Sequence, residues 1–212
     1  MRRAPRLPLD ALGPYLLQVP DLPTPLDWNA VFGNTQPVEI EVGTGKGLFL
    51  ITAAQAHPTI NYLGIEIERK YQLYAATRVA KRGLGNVRVA CVDARRLLRD
   101  FVSAGSIQGL HVYFPDPWWK KRHHKRRVFT PEFAAECERI LKPGGWLRVA
   151  TDVGEYFEII TNLLKDRSGL REQPWPEPVT PTAELTYFTN FERKARHKGK
   201  PIYRVVYERQ PA

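Results

Sequence analysis

Cysteine is scarce in this chain of 212 residues: Cys91 and Cys137 are the only two. Two thiols are too few for a disulfide framework or a zinc ribbon, which points to a reducing, cytoplasmic setting. Long apolar runs are missing as well. No stretch of about 18 apolar residues exists, so no membrane span is expected. The N-terminus MRRAPRLPLDALGPYLL starts basic, but Pro5, Pro8, Asp10 and Pro14 interrupt the apolar run that a signal peptide needs. No internal repeat is visible. Acidic residues are in short supply: 22 Asp and Glu stand against 32 Lys and Arg, a net charge of +10. Residues 120–127, KKRHHKRR, hold six of the cations and no acid. The excess is therefore concentrated in a patch, and such a patch suits nucleic acid or an anionic membrane.

What is there reads as a globular domain, with 43% hydrophobic and 25% charged residues. Seven of the eighteen prolines fall within residues 1–37, which predicts an extended proline-rich N-terminal arm outside the packed core and one domain over 38–212. From Val38 the pattern alternates. Strands are predicted at 38–42, 61–67, 86–92, 109–114 and 145–151, with helices at about 48–56, 70–82, 94–101, 130–141 and 154–165. That alternation predicts a parallel sheet with helices on both faces. The tail TAELTYFTNFERKARHKGKPIYRVVYER reads as two further strands joined by a basic loop with Gly199 and Pro201. The expected α/β fold is a doubly wound, mostly parallel, seven-stranded sheet closed by a C-terminal antiparallel strand pair.

The segment VEIEVGTGKG ends a strand and opens a helix through Gly43, Gly45 and Gly47, where the backbone must turn tightly and let a ligand approach without a Cβ in the way. The dinucleotide fingerprint G-x-G-x-x-G would need glycine at 48, where this chain has Leu48; a P-loop would need Ser or Thr after Lys46, where it has Gly47. The loop is preceded by Glu41, whose charge repels a pyrophosphate and attracts a cation. S-adenosylmethionine carries an ammonium and a sulfonium and no phosphate, so it fits better. Glu66 ends the next strand in position to accept both ribose hydroxyls, and Asp93 ends the third, where it has two readings: acceptor for the adenine amine, or N-cap of the following helix.

Strand GLHVYF brings Asp116 to the same sheet edge, with Pro115 and Pro117 stiffening the backbone on either side. Methyltransferases of exocyclic amines carry (N/D)PP(Y/F) at this place; the PDPW here is related in position and different in order. The motifs VFGN, EVGTGKG, GIE, VDA, FPDPW, KKRHHKRR, RILKPGG, ATD and TNFE together resemble the tRNA (guanine-N7-)-methyltransferase family over residues 28–208. The resemblance implies a Rossmann-like class I methyltransferase fold, S-adenosylmethionine as cofactor, tRNA as partner, and transfer to N7 of a variable-loop guanine (position 46 by tRNA convention) to give 7-methylguanosine and S-adenosylhomocysteine. It carries over Glu41, Glu66, Asp93 and Asp116 as cofactor-site acids beside Gly43 and Gly45, with Asp116 also catalytic. It carries over Lys120, Asp152, Thr189, Asn190, Phe191 and Glu192 as substrate contacts, and Arg122, His123, His124, Lys125, Arg126 and Arg127 as the RNA-contacting segment. Trp119 stands where a smaller or polar residue is common.

The chemistry agrees with that implication from the residues alone. Guanine N7 is an acceptor with a free lone pair, so no base is needed to deprotonate it. A site rich in acids and poor in candidate histidine bases suits such a reaction. An acid also suits the guanine N1–H and N2–H₂ donors; Asp116, Asp152 and Glu192 are the candidates, unranked. Asp152 has a second reading as a helix cap, one of Trp118 and Trp119 is expected in the core, and no metal site is expected at His123 and His124. The rival readings are a methyltransferase of protein side chains or small amines, an RNA-binding module without catalysis, and a nicotinamide enzyme. Monomer and homodimer are equally compatible with the sequence.

Overall fold

In the computed structural model of the protein, residues 7–19, 24–176 and 189–211 are described. The stretch VEIEV becomes β2 (Val38–Val42), with all five residues buried. Its two faces differ. Ile40 joins the larger core on one side, while Glu39 and Glu41 point to the other, so a central strand carries two carboxylates inside the protein. Around it lie β1 (Leu16–Leu17), β3 (Asn61–Glu66), β4 (Val87–Cys91), β5 (Ile107–Tyr113), β6 (Leu141–Thr151), β7 (Leu170–Gln173) and β8 (Tyr203–Arg209), in the order β1-β4-β3-β2-β5-β6-β8-β7. The first six in that order are parallel, and β8 runs antiparallel to both β6 and β7. β2 pairs with β3 on one side and β5 on the other, so the chain reverses its direction of winding there. The crevice beyond the carboxyl ends of β2 and β5 is where sheets of this kind hold ligands.

The helices are α1 (Leu9–Leu12), α2 (Trp28–Phe32), α3 (Leu48–Ala56), α4 (Arg69–Ala80), α5 (Ala94–Phe101), α6 (Pro131–Ile140), α7 (Gly154–Lys165) and α8 (Asn190–His197). Two cores result, one on each face of the sheet. Leu97 and Phe101 of α5, Phe133 of α6 and Tyr156 of α7 pack with Ile40, Leu110 and Val149. Phe49 and Leu50 of α3 and Ala75 and Val79 of α4 pack with Tyr62, Val89 and Tyr113. Each large side chain fully buried in this way contributes ~1.5–3 kcal/mol relative to exposure.

Three expectations are corrected. The sheet has eight strands among the described residues, because Leu16 and Leu17 add a short parallel edge strand on β4. The described part of residues 1–37 is not an extended arm outside the core: Leu17, Val19, Leu26 and Phe32 belong to the larger core, and Leu12 is buried. Prolines do not prevent this, since Pro8 precedes α1 and Pro14 sits in the first turn of the 3₁₀ helix Gly13–Tyr15, where a missing N–H costs nothing. Finally, β8 is flanked by β6 and β7, both antiparallel to it. The strand expected over TAELTYF falls on residues 182–188, outside the described ones, and TNFE opens a helix rather than continuing a strand. Among the described residues no helix is long and apolar enough to cross a membrane.

Candidate active site

The loop between β2 and α3 is built on backbone that only glycine adopts readily. Gly43, Gly45 and Gly47 have φ of 79°, 54° and 68°. The N–H groups of Gly43 and Thr44 donate to the carbonyl of Ile65 at 2.9 and 3.1 Å, which holds the loop against the end of β3. A Cβ on Gly47 would lie 2.9 Å from that of Ala75, so this glycine also sets the close approach of α3 to α4. Space is open above Gly45, where an added Cβ would meet nothing nearer than 3.9 Å.

Glu66 locks this loop in place. One carboxylate oxygen accepts from Gly45 N at 2.7 Å and the other from Glu68 N at 3.0 Å, which joins the glycine loop to the start of α4. Glu41 is different. It is 3% exposed, and its Oε2 has no hydrogen-bond partner among the described residues. Burial pushes its pKa well above the usual carboxylate range; a hydrogen bond from the Thr44 side chain opposes the shift, and the charge of Glu66 adds to it. A buried carboxylate oxygen left without a donor costs of order 1–3 kcal/mol, which a cationic ligand would recover.

Asp93 takes the capping reading. It N-caps α5, accepting from Arg95 N at 2.8 Å, and its carboxylate is gripped by the Arg95 guanidinium at 2.8 and 3.2 Å. Those bonds hold its pKa below the usual range. Arg95 fills three of about four acceptor positions on the carboxylate and the Arg96 N–H adds to them, so a ligand amine at this edge would share the carboxylate with these donors. Arg95 also donates to the carbonyl of Lys125 at 3.0 Å and so ties Asp93 to the basic segment. This link was missed in the sequence because nothing local connects positions 95 and 125.

Beyond β5 the chain enters a strained turn. Phe114 and Trp118, which bracket Pro115-Asp116-Pro117, have φ of 54° and 44°. Left-handed conformations at non-glycine residues cost ~1–3 kcal/mol each and persist only where neighbours enforce them. Here Phe114 N donates to Ala150 O at 2.7 Å, and Arg127 Nε donates to Pro117 O at 2.7 Å with its guanidinium over the Tyr156 ring. Asp116 itself is exposed at the sheet edge and makes no hydrogen bond among the described residues. The expectation that one tryptophan enters the core is corrected. Trp118 is half-buried, with Arg126 over its ring at 5.0 Å and His123 edge-on at 5.7 Å, and Trp119 is 52% exposed. Trp119 lines an open pocket with Asp152, Val153, Gly154 and Glu155.

The basic segment forms a 3₁₀ helix, Lys121–Arg126, directly after the exposed Lys120. Arg122, His124, Lys125 and Arg126 face solvent, and His123 is half-buried. Arg127 turns inward to its two partners, so it braces the Asp116 turn. No group of three or more potential metal ligands occurs among the described residues.

At the end of β6 the cap position of α7 is Val153, so the capping reading of Asp152 fails; its carboxylate pairs with Lys200 at 2.9 Å. Thr189 caps α8, its hydroxyl accepting from Glu192 N at 3.0 Å, which is the Thr-x-x-Glu spacing of a capping box. Glu192 is 2% exposed and bonded to Arg196 and Arg204, each at 2.7 Å. Asn190 is the first residue of α8. Phe191 is 53% exposed and stacks on Phe114, with ring centroids 6.2 Å apart. Glu41, Gly43, Gly45, Glu66, Asp93, Asp116 and Asp152 thus lie at the carboxyl ends of the five strands β4, β3, β2, β5 and β6, along one edge of the sheet. α8 reaches that edge through Phe191, and Glu192 is buried in an ion-pair cluster with Arg196 and Arg204, its charge acting on Tyr113 at the end of β5.

The chain is similar to known methyltransferases. Residues 35–205 fit the model of a family described as "Putative methyltransferase". A tRNA (guanine-N(7)-)-methyltransferase from Rhodopirellula baltica is 44% identical over 212 residues, covering 97% of this chain and 77% of that protein. Another, from Alkalilimnicola ehrlichii, is 37% identical over 203 residues, covering 95% and 85%. Among solved structures, the 16S rRNA methyltransferase KamB superposes with a TM-score of 0.62 at 16% identity, over 87% of this chain and 93% of that one. At that identity the likeness speaks for the fold.

Proposed function

We propose, from the premise that this chain belongs to the tRNA (guanine-N(7)-)-methyltransferase family, that it transfers a methyl group from S-adenosylmethionine to N7 of a variable-loop guanine in tRNA. The products are 7-methylguanosine and S-adenosylhomocysteine. One observation carries the reading beyond family membership: a single sheet edge holds an open glycine loop beside the unpaired carboxylate oxygen of Glu41, and the same edge continues through Asp116 into the basic helix.

The donor set suits the cofactor. Glu41 would face its cationic groups, the open backbone at Gly43 and Gly45 would border it, and Glu66 and Asp93 would accept from the ribose hydroxyls and the adenine amine. Glu66 has one amide on each oxygen, and each oxygen retains a second lone pair. When bound, S-adenosylmethionine supplies an electrophilic methyl group on a sulfonium sulfur. The protein's part is to orient the guanine and to hold negative charge where positive charge develops. Asp116 is the group for the second task, fixed by a braced turn so that little reorganisation accompanies the reaction. No side chain has to take a proton from N7. The exposed ring of Trp119 beside Asp152 suits stacking of the base, and Asp152 with Asp116 suits its N1–H and N2–H₂ edge. The enclosure of Glu192 by Arg196 and Arg204 argues for a positioning role instead. Lys120, Arg122, His124, Lys125 and Arg126 are the exposed groups for the phosphates. The methyltransferase domain read over 38–212 takes in the docked N-terminal residues as well, since β1 and Leu17, Val19, Leu26 and Phe32 share its sheet and core.

The test is incubation with labelled S-adenosylmethionine and unmodified tRNA, followed by digestion and nucleoside analysis. Label is expected in 7-methylguanosine. Label in another nucleoside, or none in tRNA, overturns the reading.

Glu41 also makes cofactor binding pH-dependent. In the free protein burial keeps its proton on above the usual carboxylate range. A bound ammonium favours the charged form, so binding expels that proton. Affinity for S-adenosylhomocysteine, which keeps the ammonium, should therefore rise with pH below the raised pKa of Glu41, by at most tenfold per pH unit, and level off above it. Glu41→Gln should abolish the slope. Calorimetric titration in two buffers of different ionisation enthalpy reads the released proton directly.

A further inference from the structure

The Lys120–Arg127 segment is not the only dense cationic stretch. Residues 69–92 contain six Lys and Arg and no acid, and so do residues 193–207. The fold turns α4 of the first and α8 of the second toward the same site. Arg78 of α4 donates to the carbonyl of Lys46 in the glycine loop at 2.7 Å, and Lys46 lies over the ring of Tyr74. Burial lowers the pKa of Arg78, and the like charges of Arg82 and, across from α8, Arg193 lower it further. Lys194 lies over Phe191, whose ring stacks on Phe114 at the start of the Asp116 turn. Lys46, Arg82, Arg193, Lys194 and Lys198 are exposed. The acid of α8, Glu192, is buried, so it leaves the outer surface of that helix cationic.

This surface and the 3₁₀ helix stand on opposite faces of the sheet. The 3₁₀ helix leads into α6 and is tied to α5 by Arg95, on the face of the larger core. The second surface lies over α4 and the glycine loop, on the face of the smaller core. The candidate active site runs between them.

We propose that Lys46 and Arg82, with Arg193, Lys194 and Lys198 of α8, form a second tRNA-backbone surface, so that the substrate is held across the site from both faces of the sheet. The proposal rests on the tRNA reading above. Phosphate contacts position a nucleic acid without reading its sequence, and contacts on one side alone leave it free to pivot. Contacts on both sides fix the orientation of a folded RNA relative to Asp116.

The experiment measures tRNA binding against salt for the parent and for the triple variant Arg193→Ala, Lys194→Ala, Lys198→Ala. Each lost phosphate contact removes roughly 0.7 to 0.9 from the log–log slope, so the triple variant should flatten it by about two. At low salt its tRNA Kd should rise by about tenfold or more, with S-adenosylhomocysteine affinity and thermal midpoint unchanged. Lys46→Glu, on a different element, should weaken tRNA binding independently of α8. Labelled transfer by the parent tests the underlying reading separately. If the parent methylates tRNA while both variants keep its Kd and slope, the second surface is disproved and the reading stands. An unchanged tRNA slope together with lost binding to vesicles containing phosphatidylserine would assign the surface to a membrane and overturn the proposal as well.

Discussion

Asp116→Asn should lower kcat by ~10²-fold or more, about 2.7 kcal/mol, while tRNA binding survives. The substitution keeps shape and removes charge. If Asp116 is the carboxylate that stabilises positive charge moving onto guanine, its charge acts in the transition state and little in the ground state. Loss of one preorganised electrostatic group is of this size in other enzymes.

The competing role for Asp116 is to shape the turn, and Asn shapes turns equally well. Here the structure makes the comparison sharp. The left-handed Phe114 and Trp118 are held by the bond to Ala150 O and by Arg127 on Pro117 O, and the Asp116 carboxylate takes no part in either. The turn's conformation therefore rests on other residues, and the Asn variant changes the charge alone. Single-turnover methylation at saturating cofactor and tRNA is the measurement. A rate within threefold of the parent would end the catalytic assignment.

Much of this site was legible because it depends on local pattern plus one topological rule. Acids at the ends of VEIE, GIE and CVD need only the strand assignment to be placed at one edge, and those strands were correct to within a residue or two. What escaped is what joins distant positions. Arg95 to Lys125, Phe191 to Phe114, and Glu192 to Arg204 are separated by 30 residues or more, or lie on elements whose pairing the sequence does not display. The N-terminal segment misled for a different reason. Its proline count suggested an extended arm, yet Leu12, Leu17, Val19, Leu26 and Phe32 recur between the prolines and supply enough apolar surface to dock. The helix α8 has a readable signal in Thr189 and Glu192, the capping-box spacing, beside their reading as substrate contacts. The β-branched and aromatic residues of TAELTYFTNF outweighed it.

Glu66, bonded to both Gly45 N and Glu68 N, is the strongest test of the cofactor site. Glu66→Ala should weaken S-adenosylhomocysteine binding by about thirtyfold or more, ~2 kcal/mol at 1.4 kcal/mol per tenfold. Two effects contribute and must be separated. The carboxylate braces the loop through Gly45 N and Glu68 N, and removing it leaves both amides without that acceptor. In the proposed role it also accepts from the ribose. A ligand lacking the ribose hydroxyls distinguishes them by a double-mutant cycle. Against the parent this analogue should bind about tenfold more weakly than S-adenosylhomocysteine; against Glu66→Ala the two ligands should bind nearly alike. Glu66→Gln should fall between, since one amide oxygen satisfies Gly45 N while the NH₂ group faces the Glu68 N–H. If the analogue's penalty is the same in the parent and in Glu66→Ala, the carboxylate only holds the glycine loop, and the ribose must be read by another group on the same edge.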